Sequence, residues 1–173
     1  MNQVPEKLIN FRVYENGVDL LGLADVQLPS LEYMSETVKG AGVAGEVDSL
    51  TIGHFSKMTV QLNWRQITKP LIGLAKPVAH QLDIRGAQQV YNASTGEYKV
   101  VPIKVVVKAT PKKVELGKLN VGATTDSSTE MEVVYIKISI DNINVLEIDK
   151  FNYICNINGS DSLEAVRLAL GLI

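Results

Sequence analysis

Gly40-Ala41-Gly42-Val43-Ala44-Gly45 decides between two folds. Its spacing is Gly-x-Gly-x-x-Gly, the pattern of a dinucleotide-binding turn. Such a turn requires a buried parallel strand before it and an amphipathic helix after it. The preceding Tyr33-Met34-Ser35-Glu36-Thr37-Val38-Lys39 is too polar for a central parallel strand. The following Glu46-Val47-Asp48-Ser49-Leu50-Thr51-Ile52-Gly53 has no helical period. Without strand and helix, no row of N–H groups aims at a pyrophosphate. The run therefore reads as a mobile loop or hairpin arm between strands, with glycine supplying positive φ or close backbone approach. No cofactor is assigned to it.

Outward from the arm, period-two alternation dominates. From Lys57 to Arg65, Met58, Val60, Leu62 and Trp64 face one way and Thr59, Gln61, Asn63 and Arg65 the other, a strand with one apolar face. From Gln81 to Tyr91, Leu82, Ile84 and Val90 oppose Asp83, Arg85 and Gln89. Asn92-Ala93-Ser94-Thr95-Gly96 turns the chain. The return strand sets Val101, Ile103, Val105, Val107 and Ala109 on one face, with Pro102 expected at an edge or bulge, and Lys112 to Leu119 extends it. Upstream, Asn10 to Tyr14 is a short strand, Asn16-Gly17 the centre of a tight hairpin turn, and Val18 to Leu28 a second strand weakened at Gly22. Downstream, residues 122–129 read as a polar loop. Glu132 to Asp141 is a long strand with Val134, Ile136, Ile138 and Ile140 inward, and Val145 to Asn156 another, broken by Gly159.

Two helices are expected. One runs from Pro70 to Ala75, stopped by Pro77. The other follows Asp161-Ser162-Leu163-Glu164, which resembles a capping box, with Leu163, Val166 and Leu170 at helical spacing and Gly171 at its end. The fold class is mostly β: an antiparallel barrel or sandwich with one or two short helices and an extended inter-strand arm, in a single domain over 1–173. The arm lies at about 37–50 and the C-terminal helix at about 161–170. Several strands near ten residues create an edge problem, solved by closing a barrel or pairing with a neighbour.

Composition narrows the function. The 173 residues are 46% hydrophobic and 21% charged with net charge −2, which disfavours a binder relying on phosphate neutralisation. A domain of this length buries about 70% of its unfolded surface and needs no staple. Cys155, the only cysteine, lies in an apolar run and reads as a buried thiol. Nothing resembles a signal peptide, and no run reaches the ~20 apolar residues of a bilayer span, so the default is a soluble protein made in a reducing cytoplasm. His54 and His80, the only histidines, lack ligand-spaced partners and read as surface or half-buried. The Glu147/Asp149 pair reads as a solvated face, since two carboxylates fall short of a Ca²⁺ shell. Trp64 reads as core. No catalytic or metal-binding set is assigned.

In order and spacing, four features resemble the major tail tube protein family of contractile-tailed phages and phage-tail-like bacteriocins. They are Asn10-Phe11-Arg12-Val13-Tyr14 with Asn16-Gly17 and then Leu28-Pro29-Ser30-Leu31; Lys39-Gly40-Ala41-Gly42; Val145-Leu146-Glu147-Ile148-Asp149 before Asn156-Ile157-Asn158-Gly159; and the C-terminal helix. The resemblance implies a non-enzymatic structural subunit. It would form homohexameric rings whose strands join into a composite barrel, stacked as a hollow tube around a tape-measure protein. A contractile sheath would surround that tube, and a baseplate hub and tail terminator would close its ends. Translocating DNA would occupy the lumen in a phage, and the subunit would not insert in a membrane by itself. Its place would be the tail tube of a virion or tailocin particle, assembled in the bacterial cytoplasm. The arm, disordered in a free subunit and ordered on assembly, would contact the adjacent ring through Lys39, Gly40, Gly42, Gly45, Glu46 and Asp48. The lumen would be neutral to acidic, with Lys104, Lys108, Lys112 and Lys113 facing outward or across interfaces. The alternatives are a tube protein of a type VI secretion apparatus, a small-ligand-binding β-barrel and an enzyme; the Gly-Ala-Gly arm favours the phage-type tube.

Overall fold

A computed structural model describes residues 2–20 and 22–173. About 60% of the chain is strand and 7% helix. The strands are β1 (Gln3–Glu15), β2 (Val18–Asp19), β3 (Leu23–Gln27), β4 (Tyr33–Lys39), β5 (Glu46–Phe55), β6 (Thr59–Trp64), β7 (His80–Asn92), β8 (Glu97–Glu115), β9 (Ser127–Ile140), β10 (Ile143–Asp149), β11 (Ile154–Ile157) and β12 (Ser160–Asp161). The helices are α1 (Lys69–Leu74) and α2 (Glu164–Ala169). All strand pairings are antiparallel, so the mostly antiparallel β expectation holds.

One path of the main sheet runs β12-β11-β10-β9-β8-β7-β1-β2. It branches at β9. On the side away from β8, Ser127–Glu132 pairs with β6 while Tyr135–Asp149 partners join β9 to β10. Between the two halves the register slips: Ala109 faces Val133 and Lys108 faces Tyr135, so Val134 is an extra residue. A bulge of this kind bends the strand and redirects its side chains. Met131 and Val133 are therefore buried before it and Ile136 after it. The expected inward run is corrected at two points: Val134 is the bulge and Ile140 is 40% exposed.

The branch β9-β6-β3 folds over the sheet β9-β8-β7-β1 and encloses one core. Alternation places Met58, Val60, Leu62 and Trp64 in it, all at most 1% exposed. Val13, Leu82, Ile84, Val105 and Val107 face them from the other layer. Each such burial is worth about 1.5–3 kcal/mol. Helix α1 contributes Leu71 and Leu74. Thr68 caps it, Oγ1 accepting from the Leu71 N–H at 3.4 Å, with Pro70 in the first turn where its missing N–H costs nothing. Among the described residues no ladder joins β3 to β1, so the barrel is left open along that seam and the layers form a sandwich.

Other expectations change. Strand β1 begins at Gln3, not Asn10, because the hydrogen-bonded edge of β7 carries it past Pro5. The strand expected over Val18 to Leu28 is two short strands separated near Gly22, whose φ is +98°; Leu21 lies outside the described residues. The polar run 122–129 is loop only to Asp126. Ser127 and Thr129 are buried in β9, Thr129 accepting the Trp64 indole N–H at 3.2 Å. The strand expected from Val145 to Asn156 is a hairpin, because Asp149 accepts the Phe151 and Asn152 N–H groups at 3.0 Å and nucleates a turn. Thus Asp149 is a turn cap, and Glu147 accepts the Tyr135 hydroxyl at 3.1 Å. The capping box does not form: Asp161 lies in β12, and α2 starts after Leu163 with no side-chain cap. His80 is buried, Nδ1 on Glu15 Oε1 at 2.5 Å and Nε2 on the Lys76 carbonyl at 3.0 Å. Cys155 and Trp64 are core, as expected, and burial pushes the Cys155 thiol up. Pro102 sits at the edge where β9 stops pairing, and the second slip of β8 falls at Pro111.

Candidate functional site

The glycine run is the tip of a hairpin, β4–β5, that forms a two-stranded sheet separate from the main one. Lys39 and Glu46 face each other beside the tip, Nζ to Oε1 at 3.9 Å. Gly40, Gly42 and Gly45 take φ of +123°, +88° and +125°, with the Val43 N–H donating to the Gly40 carbonyl at 3.1 Å. Asp48 accepts the Thr37 hydroxyl at 3.0 Å across the ladder. All six arm residues read from the sequence thus lie together at the outer end of one exposed hairpin. The ladder also exposes apolar groups that sequence reasoning passed over: Val38 opposite Val47, and Met34, Leu50 and Ile52, each more than 40% exposed. No period-two alternation marks them: Val47 and Leu50 are three residues apart, and Glu36 lies between Met34 and Val38 on their face.

The root of the arm is fixed firmly. Tyr33 and Phe55 stack with ring centroids 4.5 Å apart, and Phe55 is buried. The Ser56 N–H donates to the Glu32 carbonyl at 2.8 Å, and Lys150 Nζ to the Ser56 carbonyl at 3.0 Å. Gly53, at φ +66°, lies under Leu163 so closely that a Cβ would meet its side chain at 2.5–2.7 Å. Leu163 is held in turn. Asp161 accepts its N–H at 3.1 Å and pairs with Arg167 Nη2 at 2.6 Å, while Arg167 Nη1 reaches the Tyr153 carbonyl at 2.7 Å. The Arg167 guanidinium holds the Asp161 carboxyl below its ordinary range. This joint between arm and C-terminal segment has no local sequence signal, since its halves are far apart in the chain.

The open seam between β1 and β3 forms a largely apolar groove of about 280 Å³, with Asp25 the one charged residue in its lining. Leu8 and Phe11 of β1, Val26 of β3 and the following Leu28 wall it, and Ile84, Gly86, Ile103 and Val105 floor it. That seam is the outer edge of β1, where among the described residues β2 pairs only with Tyr14 and Glu15. Three lysines of the main sheet are paired locally, Lys104 with Asp83 at 3.7 Å, Lys112 with Glu130 at 3.5 Å and Lys113 with Glu115 at 2.7 Å. Lys108 is exposed. Burial, helped by Glu147, pushes the Tyr135 phenol up to about 12. Among the described residues no three of His, Cys, Asp and Glu gather as a metal site, and no helix is long and apolar enough to cross a membrane. What the geometry offers is surface for assembly: an arm with apolar flanks, and an apolar groove along an unpaired strand edge.

The model of the family described as phage tail tube protein FII matches residues 5–171. The tail tube protein of Escherichia phage P2 is 29% identical over 179 residues, covering 98% of this chain and 99% of that one. Among solved structures, a chain of the sheath/tube terminator of an extracellular contractile injection system, PVC, superposes with TM-score 0.56 at 11% identity, covering 78% of this chain and 96% of that one. A chain of the PVC sheath–tube complex in the extended state superposes with TM-score 0.54 at 12% identity, covering 78% and 91%. At such identities the two structures speak to the fold alone.

Proposed function

The chain belongs to the phage tail tube protein family and is a structural subunit of a tail tube; from that premise we propose that it builds homohexameric rings which stack into the conduit of a contractile tail. The observation that carries this reading is the unfinished protomer: a sandwich open at the seam where, among the described residues, the outer edge of β1 is bare over most of its length, and a hairpin arm in a sheet of its own. Bare edges and isolated hairpins are unstable or aggregation-prone unless something pairs with them. Identical copies arranged head to tail satisfy them in closed rings and stacked filaments.

In this proposal the arm, through Lys39, Gly40, Gly42, Gly45, Glu46 and Asp48, reaches the adjacent ring. The outer partners are a contractile sheath, a tail terminator and a baseplate hub. The fold shared with chains of a PVC sheath–tube complex and of a PVC sheath/tube terminator suits the first two. The inner partners are a tape-measure protein and, in a phage, translocating DNA. A neutral-to-acidic lumen lets DNA slide, because lysines lining it would bind phosphate and release counterions. The subunit is assembled in the bacterial cytoplasm and performs no catalysis.

Negative-stain microscopy and sedimentation of the purified protein test this. Concentrated protein is expected to form hollow rods whose end-on views have six-fold symmetry. A persistent monomer at high concentration overturns the tube and another symmetry overturns the hexamer; a lysine-lined bore in a side-chain-resolution structure of the rods overturns the lumen assignment.

A further inference from the structure

The hydrogens around His80 do not add up for a neutral ring facing an ionised carboxylate. The side chain is 7% exposed at the start of β7, opposite Ala109 of β8. Its Nε2 lies 3.0 Å from the Lys76 carbonyl oxygen and its Nδ1 2.5 Å from Glu15 Oε1. A carbonyl oxygen only accepts, so Nε2 carries a hydrogen. A neutral ring then presents a bare lone pair at Nδ1, and an ionised Glu15 presents another against it. Two facing acceptors repel, and burial keeps water from relieving them. One further proton therefore lies between Nδ1 and Oε1. On the ring or on the carboxyl, it belongs to the pair. Among the described residues the ring's partners are Glu15 from β1 and, after α1, the backbone of Lys76, whose own side chain is exposed; Ala109 on β8 is uncharged. His54 makes the contrast. It is exposed on β5, and its ring bond, from Nδ1 to the Ile52 carbonyl at 2.8 Å, is one that a neutral ring donates.

We infer that His80 and Glu15 form a pH-sensitive latch, in which one shared proton ties the end of β1 to the start of β7 and to the segment after α1. Glu15 is the last residue of β1 and opens the Asn16-Gly17 turn into β2. Because β2 pairs only with Tyr14 and Glu15, the latch sets how firmly that short strand is held against β1. The Lys76 carbonyl also accepts the Val78 N–H at 2.7 Å, so the far side of the latch is fixed. An unfolded chain gives up the histidine proton above about 6.5, the ordinary value, whereas the folded pair needs that proton for its geometry. The latch's contribution to stability is thus complete below that pH and declines as the pH rises. This inference is independent of the tail-tube reading.

Urea unfolding of the whole chain from about pH 6 to about pH 9 tests it, with wild type, Glu15→Gln and His80→Gln compared. In Glu15→Gln the side-chain amide can donate to Nδ1 of a neutral ring, so no extra proton is needed. In His80→Gln nothing at that position titrates. Relative to both variants, the wild-type folding equilibrium is expected to weaken as pH rises, by at most about tenfold per pH unit, the limit for release of one proton. Parallel profiles for wild type and Glu15→Gln overturn the latch. Should His80→Gln fail to fold, Glu15→Gln and a proton NMR spectrum decide. At about pH 6 the wild type is expected to show a far-downfield, slowly exchanging proton from the Nδ1–Oε1 bond that Glu15→Gln lacks. A wild-type spectrum without that signal also overturns the latch.

Discussion

Gly117 and Gly122 flank the same loop, both with φ near +80°, yet they carry different loads. A Cβ at Gly117 would meet the Thr125 carbonyl oxygen at 2.0 Å, while nothing lies within 4 Å of one at Gly122. Gly122→Ala is therefore expected to cost only the left-handed backbone penalty, about 1–2 kcal/mol. Gly117→Ala adds a backbone collision and is expected to exceed it by at least ~2 kcal/mol; equal urea midpoints for the two variants would refute that. Asp161 gives a pH prediction. Its folded-state value lies below the ordinary one, with the hydrogen bond from Arg167 as the main cause. Its stabilisation is thus present above the unfolded value of about 3.9 and lost as pH falls through the lowered folded value. The difference in urea midpoint between wild type and Asp161→Asn should shrink from pH 6 toward pH 3. A constant difference would mean that the pair with Arg167 contributes no charge.

At the level of elements, β9 organises the fold because one extra residue, Val134, lets it serve two branches. Its first half carries the layer that closes the core and its second half carries the β10–β12 meander on which the arm is rooted. The arm itself is paired but marginal, since its ladder has no covering layer in the protomer. Lys39, with its side chain about three-quarters exposed beside the glycine turn, is the natural tryptic site. Trypsin is expected to cut free subunits first after Lys39 and to leave that bond intact in rods, as mass spectrometry of the fragments would reveal. Equal cleavage rates in both states would mean that the arm stays free on assembly.

For the whole molecule, stability and assembly are linked. A protomer that leaves β1 unpaired along its outer edge is stabilised by any copy that binds only the folded state. Hydrogen exchange should therefore slow on assembly at the outward amides of residues 3–12 and across the arm, while the buried amides of β8 change little. Unchanged exchange along β1 in rods would show that the edge is not an interface. Lys104, Lys112 and Lys113 are paired locally, whereas Lys7, Lys99 and Lys108 stand exposed on the strands.

The sequence by itself determined the β character, the alternating core faces, the glycine arm, the Asn16-Gly17 turn and the first helix, because each depends on side chains a few residues apart. Met58, Val60, Leu62 and Trp64 had to share a face whatever lay opposite them. Only the tertiary structure decided which polar residues are buried, where β9 slips, and where the sandwich stays open. Thr129 looked like loop until Trp64 supplied a partner from 65 positions away; Asp161 looked like a cap until Arg167 and Leu163 claimed it; and the β1–β3 seam exists only once two strands fail to meet. Register, bulges and grooves arise from contacts between distant segments, and periodicity along one strand carries no record of them.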